Sequence, residues 1–186
     1  GTGSTVGVLS DSYDCLGGAA ADVSSLDLPP SVNVIKEYSN CSNGWDEGRA
    51  MAQIVHDVAP GAKIQFRTAF EGDADFAQGI IDLKNAGSRV IVDDVFYLDE
   101  PFFQDGVIAQ AVDTVVAGGV SYFSAAGNDA RQSYYDDFRP GQVYADGVFS
   151  GGFFGGTAHD FDPGAGVDAF QKITCHAGDE LVISLQ

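Results

Sequence analysis

Short apolar runs that alternate with helix-like segments constrain the fold of this 186-residue chain more than any other feature. Three segments carry apolar residues at helical spacing, and they span residues 46–58, 73–86 and 105–117. The remaining apolar runs are short, as buried strands are, and they span residues 6–9, 32–35, 63–68, 90–92 and 120–125. Strands that alternate with helices predict βαβ units, and therefore an α/β fold with a parallel sheet and helices on both faces.

The pattern changes after about residue 130, which predicts three parts. Residues 1–130 form the α/β part, and residues 131–166 are a connection rich in glycine and aromatic residues. Residues 167–186 contain two apolar runs around a turn, which predicts two short antiparallel strands at the start of a β-sandwich-like segment. Two strands are too few to be stable alone. They would need partner strands from the α/β part, from further chain or from another molecule.

Polar side chains follow three of the predicted strands. Asp11 comes after the first strand, Asp93 and Asp94 end the fourth, and Asn128 follows the fifth. Because ligand sites of parallel sheets lie beyond the carboxyl ends of the strands, we expect these side chains to converge there. One of the two adjacent aspartates is expected to line the cleft, and the other to cap the loop.

Net charge excludes several classes of partner. Asp and Glu number 27 and Lys and Arg 9, which gives a net charge of −18. Phosphate backbones and anionic membrane surfaces repel such a chain, so we expect no nucleic-acid partner and no membrane partner. Among the three cysteines, Cys15 and Cys41 can pair and would leave Cys175 unpaired. A disulfide in an acidic chain predicts a secreted protein, extracellular or in the cell envelope.

Four segments occur here in the order known from one peptidase family. They are Val-Gly-Val-Leu-Ser-Asp-Ser at 6–12, Glu-Gly-Arg-Ala-Met-Ala at 47–52, Val-Ala-Pro-Gly-Ala-Lys at 58–63 and Ser-Ala-Ala-Gly-Asn at 124–128. In order and spacing they resemble the subtilisin-like serine peptidases, a clan that includes the sedolisins. The resemblance covers roughly residues 4–130 and implies a subtilisin-like α/β fold that acts on a polypeptide substrate.

The resemblance also implies roles for individual residues. By position, Asp11 matches the catalytic aspartate, Glu47 stands where subtilisins have the histidine, and Asn128 matches the oxyanion donor. Asp14 is a second candidate for the aspartate. Sedolisins likewise have glutamate in place of the histidine. They expect an aspartate four residues later, where this chain has Met51, and use aspartate at the oxyanion position.

The nucleophile departs further from the family pattern. The family places a Gly-Thr-Ser segment well downstream of Asn128, and the nearest match, Gly156-Thr157-Ala158, has alanine in place of serine. We interpret that match as chance. The resemblance therefore implies a serine supplied by chain beyond residue 186, and an association of residues 1–186 with that remaining carboxyl-terminal portion.

A carboxylate can take the proton of a serine hydroxyl if its pKa is raised toward the working pH. Adjacent carboxylates resist ionising together, so Asp11 and Asp94 would raise the pKa of Glu47 and share a proton with it. These features predict a serine endopeptidase that is favoured by acidic conditions and requires no cofactor.

Two other functions remain open. The first is a catalytically inactive subtilase-fold protein with a structural or assembly role, which self-assembles by completing a sheet on a neighbouring molecule. The second is an acidic α/β domain that binds a divalent metal ion through Asp11, Asp93 and Asp94.

A separate acidic group lies in the last third of the chain. Asp160, Asp162 and Asp168 are spaced like the oxygen ligands of a loose Ca²⁺ loop, although without the regular spacing of an EF-hand. The alternative for these three residues is a solvated acidic loop.

Overall fold

The structure is a computed structural model that describes residues 1–129, 133–147, 155–178 and 181–184. Contacts divide the chain into two compact units, an α/β unit over residues 1–128, which residue 184 joins, and a second unit within residues 129–183. No helix in these ranges is long and apolar enough to cross a membrane.

Five parallel strands and four helices make up the α/β unit. The strands are β1 (Thr5–Ser10), β2 (Val32–Lys36), β3 (Lys63–Thr68), β4 (Val90–Asp93) and β5 (Ser121–Ser124). The helices are α1 (Ala19–Ser25), α2 (Glu47–Val58), α3 (Asp73–Asn85) and α4 (Val107–Ala117). The strand order is β2-β3-β1-β4-β5, and every neighbouring pair is parallel. The predicted α/β fold with a parallel sheet is confirmed.

Helices cover both faces of the sheet because successive strand side chains point to opposite sides. On one face, Leu9 and Ile91 pack against α3 and α4 in a fully buried cluster. On the other, Val8 and Phe66 pack with residues of α1 and α2. Strand β1 therefore contributes side chains to both cores and lies at the centre of the sheet, which fixes the position of whatever follows it.

Helices α4 and α1 differ most from the prediction. Helix α4 begins at Val107 rather than at residue 105, because the carboxylate of Glu100 accepts the amides of Ile108 at 3.1 Å and Ala109 at 3.0 Å. Helix α1 was not predicted, and it buries none of its residues completely. A short helix without a buried stripe leaves little apolar periodicity to detect.

The second unit contains one antiparallel pair, β6 (Pro140–Tyr144) and β7 (Gly156–His159). It lies inside the predicted connection, so the prediction of strands over residues 167–186 is wrong for 167–178 and 181–184, where the structure has none. Leu185 and Gln186 lie outside the described residues. The pair forms where His159 packs against three aromatic rings, which add contacts that an isolated ribbon lacks; they are Tyr134, Phe138 and Phe161.

Candidate active site

Asp11, the residue after β1, holds the start of α2. Its side chain is buried, with 1% exposed. Its Oδ1 accepts the amide of Glu47 at 2.9 Å, and its Oδ2 accepts the amide of Trp45 at 2.5 Å and the hydroxyl of Ser12 at 2.7 Å. The amide of Glu47 is one of the backbone N–H groups that a helix start leaves without an internal partner, whereas Trp45 lies two residues before the first residue of the helix. The structure therefore brings Asp11 and Glu47 together at the carboxyl edge of the sheet.

Two further residues allow α2 to begin so close to β1. Asp46 adopts a left-handed backbone with φ of 58°, and its amide donates to the hydroxyl of Ser12 at 2.8 Å. Gly48 has no room for a side chain, because a Cβ there would lie 2.8 Å from the carbonyl oxygen of Ser12 and against the ring of Phe66. The glycine thus lets the first turn of the helix approach the end of the strand.

Hydrogen bonding sets the charge of Asp11. Burial by itself would raise the pKa of this carboxyl, but the donated bonds from Trp45, Ser12 and Glu47 outweigh it, so the pKa lies below its ordinary value. The expected proton shared between Asp11 and Glu47 does not fit this geometry. Both oxygens of Asp11 already accept protein donors, which favour the ionised form.

The two aspartates at the end of β4 have different surroundings. Asp93 is buried, and it accepts the hydroxyl of Tyr122 and that of Ser124, the latter at 2.8 Å. Burial raises the pKa of Asp93, and burial together with the Asp93 charge raises the pKa of Tyr122. Asp93 is therefore the aspartate that links β4 to β5, whereas the contacts of Asp94 are with β1.

Asp94 lies between β1 and Glu47. Its Oδ2 accepts the hydroxyl of Ser10 at 3.1 Å, while its buried Oδ1 has no hydrogen-bond partner in the described part of the chain. Burial raises the pKa of Asp94 to about 6, and the charge of Glu47 adds to the increase. A buried carboxyl near a second carboxyl, at the junction of β1 and β4, is able to hold a proton at mildly acidic pH.

Asn128 lies four residues beyond β5 and is exposed. Its strand is parallel to β4 and β1, so the loop that carries it leaves the sheet at the same edge as Asp11 and Asp94. Gly127, with φ of 77°, supplies the left-handed turn just before it. Strand β5 is two positions from β1, which corresponds to roughly 10 Å across the sheet.

The aspartates of the predicted calcium loop lie in the second unit. Asp160 Oδ1 accepts the amides of Asp162 and Asp168 at 3.0 and 2.9 Å, and Asp168 accepts the amide of Phe170 at 2.9 Å. These bonds lower the pKa of Asp160. Within the described residues, no group of three or more His, Cys, Asp or Glu could hold a metal ion. The three aspartates organise their own loop, and Ca²⁺ binding there stays a prediction.

Several residues around the site were not identified from the sequence. They are Ser10, Ser12 and Trp45. Their hydrogen bonds depend on donors and acceptors from other elements, and no sequence motif indicates these bonds. The sequence left the disulfide pairing open, and in the structure Cys15 and Cys41 are bonded, with Cα atoms 4.8 Å apart, while Cys175 is free and exposed.

The sequence matches no protein-family model and no curated protein sequence. Among solved structures it is similar to the prenylagaramide maturation protease PagA, with 17% identity, a TM-score of 0.47, and coverage of 67% of this chain and 46% of that chain. It is also similar to the PatG macrocyclase in complex with peptide, with 13% identity, a TM-score of 0.43, and coverage of 72% and 53%. The chain spans about half the length of these two proteins. Both TM-scores lie below 0.5, so neither similarity supports a conclusion about this chain.

Proposed function

We propose that this chain forms part of a serine endopeptidase of the subtilisin/sedolisin clan, in which Glu47 takes the place of the histidine base. One observation carries the proposal: the amide of Glu47 donates to Asp11 at 2.9 Å, at the carboxyl edge of the sheet. Asp11 and Glu47, which match the catalytic positions of the family segments, are thus in contact. Asp94 lies close to Glu47.

In the proposed reaction, Glu47 takes the proton of a serine hydroxyl as the serine oxygen bonds to the carbonyl carbon of the scissile peptide. The carbonyl π electrons move to its oxygen, to which the Asn128 amide donates a hydrogen bond. The C–N bond then breaks, and the proton on Glu47 passes to the leaving amine. Water releases the acyl group in a second round of the same proton transfers. The serine belongs to polypeptide outside residues 1–186.

Asp94 and Asp11 have different supporting roles in this proposal. Below pH about 6, Asp94 carries a proton, which removes the charge repulsion between it and Glu47. Asp11 stays ionised and positions Glu47 through the helix backbone. Above pH about 6 Asp94 is ionised and repels the charge of Glu47, so we expect activity to fall.

A fluorophosphonate probe tests the proposal, because it labels an activated serine covalently. We expect the full-length protein to be labelled between pH 4 and 6, and the Glu47→Gln variant to lose at least a hundredfold in labelling rate. Asp57→Asn is the matched control, because it removes a carboxylate from the exposed far end of the same helix. Absence of labelling at every pH from 4 to 8 would rule out the peptidase.

One observation favours an assembly role as the second candidate. In the five-stranded sheet, β5 is an edge strand, with four uncharged residues and Phe123 60% exposed. Edge strands of monomers usually carry charges or other features that prevent pairing. Light scattering across concentration separates the candidates, because an assembly protein increases in mass and a strict monomer does not.

The metal-binding alternative lacks support at the strand ends. Both oxygens of Asp11 and both of Asp93 already accept protein donors, which leaves few free ligand positions. Export, by contrast, remains part of the proposal, because the Cys15–Cys41 disulfide suits an oxidising compartment.

A further inference from the structure

An aromatic cluster lies beside the candidate active site. The rings of Trp45 and Phe70 meet edge to face, with centroids 6.3 Å apart, and those of Phe70 and Tyr38 do the same at 5.8 Å. The Trp45 side chain is 66% exposed, although indole is among the most costly side chains to leave in water. In these three residues, the aromatic cluster, the indole of Trp45 is exposed while Tyr38 and Phe70 are partly buried beside it.

Hydrogen bonds connect the aromatic cluster to the proposed catalytic residues. Trp45 precedes Glu47 by two residues and donates its amide to Asp11. The hydroxyl of Thr68 donates to the carbonyl oxygen of Asp11 at 2.6 Å, and it accepts the amide of Phe70 at 3.2 Å. The cluster is therefore anchored to Asp11, the residue that also accepts the amide of Glu47.

Acidic residues surround the aromatic cluster. Glu37 precedes Tyr38 and accepts its amide at 2.9 Å. Glu71 follows Phe70 and accepts the amide of Ser39 at 2.8 Å, a bond that lowers the pKa of Glu71 and keeps it ionised. With Glu47, this places a carboxylate within two residues of each aromatic side chain.

In the described part of the chain, the cations nearest in sequence form their ion pairs with other carboxylates: Lys36 with Asp75 at 2.8 Å, Arg49 with Asp22 and Asp46, and Arg67 with Asp75 and Asp82. The charge of Lys36 also acts on Glu71 and helps to lower its pKa, but Lys36 does not pair with Glu71. The cluster thus combines an exposed indole face with carboxylates that have no ion pair of their own among the described residues. Both features attract a cation, the first through the ring quadrupole and the second through simple charge attraction.

We propose that Trp45, Phe70 and Tyr38 form a subsite that binds a lysine or arginine side chain of the polypeptide substrate. This inference rests on the proposed peptidase function and gives it a substrate class. The aliphatic part of the basic side chain packs on the indole, and its charged end is directed toward Glu71. A glutamate in the same place would be repelled, and an uncharged linear side chain would gain only the apolar contact.

Peptide binding tests the inference without depending on turnover. A dye attached to the peptide reports binding through anisotropy, so the measurement does not depend on the tryptophans of the full-length protein. We would titrate full-length protein carrying Glu47→Gln, which cannot cleave the peptide, with acetyl-Ala-Ala-Lys-Ala-Ala-amide and its norleucine and glutamate analogues. The lysine peptide should bind at least tenfold more tightly than the norleucine peptide, and the glutamate peptide should bind most weakly.

Variants in the same background identify the contacts, with a dye-labelled lysine peptide followed by anisotropy. Trp45→Leu should weaken binding about tenfold, while Trp45→Phe, which keeps an aromatic face, should weaken it by less than threefold. Glu71→Gln keeps an acceptor for Ser39 and removes the charge, so it should weaken only the lysine peptide. Val58→Ala is the control, because Val58 is equally apolar and exposed at the other end of α2.

The possible results separate the inference from the function on which it rests. Equal affinity for lysine and norleucine peptides, no binding of any peptide, or an equal loss in Val58→Ala would overturn the cationic subsite. Selective lysine binding without any fluorophosphonate labelling supports the subsite and refutes the peptidase. Fluorophosphonate labelling without selectivity for the lysine peptide supports the peptidase and refutes the subsite.

Discussion

Replacing Asp11 by asparagine is the most direct test of how the site is built. The two carboxylate oxygens accept backbone amides on opposite sides, from Glu47 at 2.9 Å and from Trp45 at 2.5 Å. Asparagine has one carbonyl oxygen, so it can keep one of these bonds. Its NH₂ group then faces the other amide, and two donors cannot bond each other.

The expected cost follows from these contacts. A hydrogen bond to a charged acceptor contributes about 1.5–3 kcal/mol, and we take the lower value because Trp45 and Glu47 are exposed enough for water to replace the lost partner. A carboxylate at a helix amino terminus adds about 0.5 kcal/mol through the helix dipole. Asp11→Asn should therefore lower the free energy of unfolding by about 2 kcal/mol at pH 7, which for a unit of this size corresponds to roughly 7 °C in Tm.

The pH dependence gives the sharper measurement. The pKa of folded Asp11 is depressed, so its contribution to stability is fully present above the unfolded value and is lost as pH falls through the folded pKa. Urea unfolding followed by Trp45 fluorescence should show a difference of about 2 kcal/mol between wild type and Asp11→Asn at pH 7, from the contacts above, and a much smaller one at pH 2.5. Asp57→Asn controls for the loss of one charge from α2. An equal difference at both pH values would refute the argument.

Three further predictions concern the same edge of the sheet. Replacing Cys15 and Cys41 by serine opens a loop with a sequence separation of 26 and should cost about 3.5 kcal/mol by the chain-entropy relation; urea unfolding measures it, and a similar loss in Cys175→Ser would contradict the assignment. Gly48→Ala introduces a Cβ 2.8 Å from a backbone oxygen and should cost about 1–3 kcal/mol, read from thermal melts; an unchanged Tm would show that α2 shifts freely. Asp94→Asn should abolish the fall in fluorophosphonate labelling near pH 6, because burial places the pKa of Asp94 there; a profile that keeps that fall would assign it to another group.

The sequence was sufficient to predict the sheet and three of its helices, because buried parallel strands and amphipathic helices leave strong periodic signals. The family resemblance placed Asp11 near Glu47, and in the structure the amide of Glu47 donates to Asp11. The sequence allowed Cys15 to pair with Cys41 without fixing that pairing. The sheet and the helices thus follow from local pattern along the chain, whereas the contact at Asp11 does not.

The charges of the site could not be predicted in the same way. Asp93 and Asp94 are adjacent, yet Tyr122 and Ser124 reach only Asp93, because β5 aligns with β4 in one register. Asp11 was expected to share a proton, and instead the hydroxyl of the adjacent Ser12 and two amides at or just before the start of α2 favour its ionised form. The charge of each carboxyl depends on which hydrogen-bond donors other elements bring next to it. That depends on how the strands and helices align in the folded protein.

The opposite pKa shifts of Asp11 and Asp94 define an operating window for the proposed chemistry. They follow neighbouring strands of one sheet, but donated hydrogen bonds depress the first pKa while burial lifts the second to about 6. A mildly acidic pH therefore protonates Asp94, while Asp11, beside the start of α2, keeps its charge. A lower pH would also protonate Asp11 and weaken its bonds to the start of α2. The lowest pH at which the protein functions would therefore coincide with the pH at which α2 loosens.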